Sequence, residues 1–94
     1  MAKPKIPFNL GQVVATPAAL VALGANQCGT TEWLNRHMTG DWGEVDAEDR
    51  AENDAAVRVG NRILSAYILP DGTKIWIITE ADRSSTTILL PEEY

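Results

Sequence analysis

Ninety-four residues give room for one hydrophobic core and not two, and 45% hydrophobic with 22% charged residues is the balance of a folded domain, which excludes general disorder. The net charge is -5, yet Asp41, Glu44, Asp46, Glu48, Asp49, Glu52 and Asp54, answered only by Arg50, put -6 into residues 41–54 and leave +1 for the rest. Such a chain repels nucleic acid and anionic membrane and offers a basic partner one concentrated face.

Met1 to Pro7, with two lysines and two prolines, reads as an extended arm, and residues 8–94 as a single α+β domain. No signal-peptide pattern follows the lysines and no apolar run approaches the roughly 18 residues that span a bilayer, so a cytoplasmic location is expected. Phe8 to Ala15 reads as a short strand, with Val13 and Val14 β-branched and Gly11 free to bend. Thr16-Pro17 starts a helix: the hydroxyl caps open amides, and proline at the first position has no amide to leave unpaired. That helix runs through Leu23 with Gly24 as its cap. Two apolar turns are not stable alone in water, so burial is expected.

A second helix spans Thr31 to about Met38 and ends by Gly40; Trp33, Leu34, His37 and Met38 recur on one face. Gly40-Asp41-Trp42-Gly43 follows as a tight turn. The third helix runs from Ala47 to Val59, with Asp46 as its cap and early acids facing the positive end of its dipole. Ala47, Ala51, Ala55 and Val59 form the seam expected to pack.

Arg62 to Leu69, Pro70-Asp71-Gly72-Thr73 and Lys74 to Thr79 compose a β-hairpin, and Ser85 to Leu90 a further strand beyond the loop Glu80 to Ser84. Ile75-Trp76-Ile77-Ile78 is apolar on both faces, which implies cover on both. The expected architecture is an N-terminal strand, three short helices, then a three-stranded antiparallel meander with the helices on one face.

Complete chemical motifs are missing. Cys28 is a single cysteine, so an internal disulfide and a cysteine-based zinc site are excluded, and it suits a small partly buried hydrophobe. Asp46-Glu48-Asp49 lacks the calcium-loop signature and suits a helix start. Asp71 with Glu80 and Asp82 suggests nuclease acids, but Asp82 stands where the lysine belongs. The loop Thr79 to Ser85 mixes two acids, a guanidinium and hydroxyls, which suits an internal turn. Helices one and two suggest a helix-turn-helix, yet Arg36 and His37 beside Glu32 are too few for phosphate contacts. No cofactor or metal is implied. Trp42, flanked by glycines and acids, is the tryptophan best placed to serve as an exposed anchor, against the simpler role of folding back onto the core.

Several stretches together resemble a family of small uncharacterised bacterial proteins carried on plasmids, phages and other mobile elements, often described as plasmid-related or mislabelled as a restriction-modification subunit. They are Gln12 to Pro17 with Ala19-Leu20, Arg36-His37 with Gly40 to Gly43, Arg62 to Tyr67, Pro70 to Trp76, and Thr79 to Ser84. The family implies no activity. It does imply company with anti-CRISPR and antirestriction inhibitors of host defences. The expectation is a protein without enzymatic activity that occupies a basic surface of a host protein or ribonucleoprotein through Asp41, Trp42, Glu44, Glu48, Glu52 and Asp54. A second expectation is a small enzyme or ligand-binding protein using His37 with Asp41 and the Glu80 to Ser85 loop. A third is a homodimer formed at an unpaired sheet edge or through the last apolar strand.

Overall fold

The computed structural model describes residues 7–94; the arm expected over Met1 to Pro7 lies, but for Pro7, outside them. The architecture is α+β: strand β1 (Gln12–Ala15), helices α1 (Pro17–Ala25), α2 (Thr31–Met38) and α3 (Ala47–Val59), strands β2 (Ile63–Ile68), β3 (Lys74–Thr79) and β4 (Ser85–Leu89), then a 3-10 turn, Pro91–Glu93. The four strands form one mixed sheet in the order β1-β4-β3-β2. β2, β3 and β4 are the antiparallel meander, and β1 adds to β4 in parallel, with Val13 opposite Thr86 and Ala15 opposite Ile88. The last apolar strand is therefore interior, flanked on both sides, and offers no dimer edge.

Alternation along the strands sorts the core. Tyr67 of β2, Ile75 and Ile77 of β3 and Ile88 of β4 share one face and pack with Ala19 and Leu23 of α1 and Trp33 of α2. A second cluster, Trp42, Ala56 and Ile63 with Phe8, Val45 and Val57, ties α3 to the start of β2. Each Ile or Leu taken fully out of water stabilises the fold by about 1.5–3 kcal/mol, which is what holds helices too short to persist alone. Trp76 lies on the opposite sheet face and is only half-buried, with its ring edge-on to Tyr94 at 5.6 Å.

Helix ends follow local chemistry with two departures from expectation. Thr16 Oγ1 accepts from Ala19 N at 3.1 Å, and Asp46 Oδ1 from Asp49 N at 2.8 Å, as capping requires. Gly24 does not end α1: the helix continues to Ala25, Asn26 caps it, and Gln27 takes the left-handed conformation at φ 56°. Asn26 does so because its side chain serves twice, donating to the Ala22 carbonyl at 2.8 Å and accepting from Asp71 N at 2.8 Å. Nor is α1 buried all round, since Leu20 and Val21 are 51% and 72% exposed.

α3 packs on a different face from the one its alanines suggest. Ala47, Ala51 and Val59 are exposed and Ala55 only half-buried, while Asn53 and Ala56 are buried. The cause is polar. The Asn53 carboxamide donates to the Leu64 carbonyl at 2.8 Å and accepts from Leu64 N at 3.2 Å, standing in for a missing strand. Two residues along β2, Ala66 N donates to the Trp42 carbonyl at 3.1 Å and Glu44 N to the Ala66 carbonyl at 2.6 Å. Gly43 is required between them: at φ 74° a Cβ there would overlap the Ala66 carbonyl oxygen. The β2 edge is thus closed by α3 and residues 42–44, as edge protection demands.

Both hairpin loops share one turn, although Leu69 N closes the first on the Thr73 carbonyl and Glu80 N closes the second, one residue longer, on the Ser85 carbonyl. In Leu69 to Thr73, Gly72 N donates to the Leu69 carbonyl at 2.8 Å, Gly72 alone is left-handed, and Asp71 Oδ1 accepts from Thr73 N at 2.9 Å. This is a three-residue loop with a glycine bulge, not the two-residue Asp-Gly turn. In Glu80 to Ser84, Asp82 Oδ1 accepts from Ser84 N at 2.9 Å, and Arg83, at φ 61°, stands where the other loop has glycine.

Candidate functional site

The six residues expected to meet a partner divide into two groups. Trp42 is 2% exposed, so it is not a surface anchor. Its ring lies in the second core cluster, 5.9 Å from His37 and 6.1 Å from Phe8, and its Nε1 donates to Asp54 Oδ1 at 2.9 Å. The paired glycines let the chain fold back; what they buy in turn geometry is spent on packing. Asp54 serves that indole. Asp41 serves the same corner: Arg36 Nε donates to its Oδ2 at 2.7 Å, Gly43 N to its Oδ1 at 3.3 Å, and Tyr67 Oη to its backbone carbonyl at 2.6 Å. Arg36 is held over the rings of Tyr67 and Trp33, at 4.6 and 5.3 Å. Burial pushes the Tyr67 hydroxyl up to about 12, so it remains a donor.

Glu44, Glu48 and Glu52 are different. All three are exposed, as are Asp41, Asp54 and the helix-start acid Asp49, but unlike Asp41 and Asp54 they hold no side chain or backbone amide of the turn in place. The ion pairs of the described residues, Arg36 with Asp41 and Arg62 with Glu80, leave Glu44, Glu48, Asp49 and Glu52 out. Arg50, the base of their own segment, donates instead to the Val45 carbonyl at 3.4 Å. Glu48 and Glu52 stand one turn apart on α3, and Asp49 and Glu52 line a shallow cleft of about 190 Å³ with Asn53, Arg62 and Leu64. That is below the several hundred Å³ of a small-molecule site. Among the described residues no three His, Cys, Asp or Glu side chains converge as a metal site, and no helix is long and apolar enough to cross a membrane.

His37 does not meet Asp41 and the Glu80 to Ser85 loop in an open pocket. It is fully buried, with Nδ1 2.6 Å from Ser65 Oγ and Nε2 2.8 Å from Thr79 Oγ1; Thr79 Oγ1 in turn lies 2.7 Å from Thr86 Oγ1. The proton order follows from the far end. Thr86 donates to the Leu10 carbonyl at 2.7 Å, and a carbonyl only accepts. Thr86 must therefore accept from Thr79, Thr79 from the His37 Nε2–H, and His37 Nδ1 from Ser65. Desolvation, then the positive charge of Arg83, lowers the His37 pKa to about 3, so the ring is neutral, as this order requires. Ser65, Thr79 and Thr86 are polar residues on the inward strand face, a signal carried by the alternation of β2, β3 and β4 and by no catalytic motif.

Arg83, the guanidinium of the Thr79 to Ser85 loop, reaches beyond that loop. It donates to the carbonyls of Asn61, Glu80, Ala81 and Ala56 at 2.7, 3.1, 3.2 and 2.8 Å, closing the end of α3 and the β3–β4 loop together. Its guanidinium lies 5.6 Å from the Phe8 ring, which in turn meets His37 edge-on at 5.2 Å. The loop expected to be an internal turn is one, but its bonds run to backbone carbonyls. Compared with family models, curated proteins and solved structures, the chain matches none.

Proposed function

We propose that the protein binds a basic surface of a protein or ribonucleoprotein partner through Glu44, Glu48, Asp49 and Glu52, these carboxylates standing in for phosphates. Given the resemblance to mobile-element proteins, the partner is a host nucleic-acid-handling defence complex, blocked in the manner of an anti-CRISPR or antirestriction protein, and the setting is cytoplasmic. The supporting observation is that these four acids are exposed and left out of the ion pairs of the described residues. Helix formation alone does not favour that arrangement. Glu48 and Asp49 gain from the helix dipole, but Glu52 sits four residues from Glu48, a like-charge spacing that costs a few tenths of a kcal/mol.

Charge complementarity of this kind acts mainly on association rate and is screened by salt. The test is affinity capture from host cells at about 0.05 M and about 0.5 M NaCl, where the Debye length contracts from above 10 Å to below 5 Å. The wild type is expected to retain a partner at low salt and lose it at high salt; Glu44→Gln/Glu48→Gln/Glu52→Gln should lose it at both. Asp54 stays intact because it holds the Trp42 indole. Equal capture by the triple variant would sink the idea.

A further inference from the structure

We propose that β1 is the pairing edge for a second copy of this chain, joining two four-stranded sheets antiparallel across a two-fold axis at Val13. The two sheet edges are unlike. The β2 edge is closed by Asn53 and residues 42–44, whereas β1 has β4 on one side and, among the described residues, no strand on the other. Gln12 N donates to the Ser84 carbonyl and Thr16 N to the Ile88 carbonyl, each at 3.0 Å, which fixes the direction of the alternating groups. Val13 and Ala15 therefore point their amides and carbonyls outward, and among the described residues none of these groups has a partner. No charge, proline or bulge blunts this edge within Gln12–Ala15.

The surroundings identify the occupant. No charged residue stands anywhere from Phe8 to Thr31 in a chain of net charge -5, and the carboxylate that reaches the end of β1, Glu93, is engaged by the Thr16 hydroxyl at 2.7 Å. A basic or acidic partner gains nothing there, while a second equally acidic chain can approach without repulsion. Val13 and Val14 are each 43% exposed, and the exposed Leu20 and Val21 of α1 are uncharged as well. A two-fold axis sets a residue opposite itself, which only an uncharged side chain tolerates well. Val13 meets the Val13 of the second copy as a hydrogen-bonded pair, and the pairing ends where Ala15 reaches Gly11, which is left-handed at φ 64° and donates its amide to Asn9 Oδ1 at 2.9 Å. The acidic helices, docked at β2, then lie at the two ends of an eight-stranded sheet, about 34 Å apart by strand spacing and well beyond screening range. Such a dimer would present two acidic faces to a partner, but its formation does not depend on either being functional.

Sedimentation equilibrium of the purified chain, from about 1 µM to about 1 mM, tests the pairing because it spans the affinities of an interface this small. Wild type should rise to twice the mass of one chain. Val13→Lys should remain monomeric throughout with an unchanged far-UV spectrum. In a Cys28→Ser background, Val13→Cys should oxidise to a disulfide-linked dimer, since paired Cα atoms at about 5.5 Å lie within disulfide reach. A monomeric wild type overturns the proposal. So does a Val13→Lys dimer, a Val13→Cys chain that fails to cross-link, or a dimer dissolved by Val21→Lys alone.

Discussion

His37 has each ring nitrogen committed to a hydroxyl inside the core, so its charge state is part of folding. Folded, its pKa is about 3; unfolded, it returns to the ordinary 6.5. Between these values the unfolded chain binds the extra proton, so the contribution is complete above pH 6.5 and is lost as pH falls toward 3. The slope is at most about 1.4 kcal/mol per pH unit. Asp71 and Asp82, held below the usual carboxylate range first by Thr73 and Ser84, add losses only at more acid pH. Urea unfolding between about pH 6.5 and pH 4.5 should show wild type weakening by about 2 kcal/mol. His37→Gln should be less stable at neutral pH yet nearly flat across the window. Equal slopes would mean that His37 is protonated in the native state. Arg83 works at the same scale, since a non-glycine left-handed residue costs about 1–2 kcal/mol and four carbonyl contacts offset that.

α3 is positioned by one amide rather than by its alanines. The two Asn53 bonds to Leu64 replace the strand that the β2 edge lacks, and removing them leaves a backbone donor and acceptor without partners. Asn53→Ala should lose about 2–3 kcal/mol in urea unfolding, and the Leu64 amide should exchange with solvent far faster than its β3-facing neighbours. An unchanged Leu64 exchange rate would show that the edge is protected by other means. This explains which elements were legible in the sequence. Thr16-Pro17, Asp46 and Pro70-Asp71-Gly72 act within a few residues, so α1's start, α3's bounds and the hairpin could be read directly. Asn53, Arg83 and the Ser65–His37–Thr79–Thr86 chain act across tens of residues, and only the assembled sheet brings their partners into range. Of the expected partner site, Glu44, Glu48 and Glu52 are exposed, while Asp41, Trp42 and Asp54 have structural duties that no local pattern marks.

At the scale of the whole molecule, charge and apolar surface gather at opposite sheet edges: β1 carries no charge of its own, with Glu93 held at its end by Thr16, and acids cluster where α3 meets β2. The acidic end carries -6 within residues 41–54, with Glu44, Glu48, Asp49 and Glu52 outside the ion pairs of the described residues. Screening should therefore act oppositely on folding and on binding. Raising NaCl from about 0.01 M to about 0.15 M shortens the Debye length from about 30 Å to about 8 Å and relieves repulsion among these acids. Urea is uncharged, so the wild-type unfolding midpoint in urea should rise over that range, by up to about 1 kcal/mol of stability at pH 7. Glu44→Gln/Glu52→Gln should start higher at low salt and gain less, because the acids that do not assist the helix dipole are gone. Binding to a basic partner should weaken over the same range. A wild-type midpoint that falls with salt would mean that the pairs Arg36–Asp41 and Arg62–Glu80 outweigh the repulsion, and that the acidic face carries no strain for a partner to relieve.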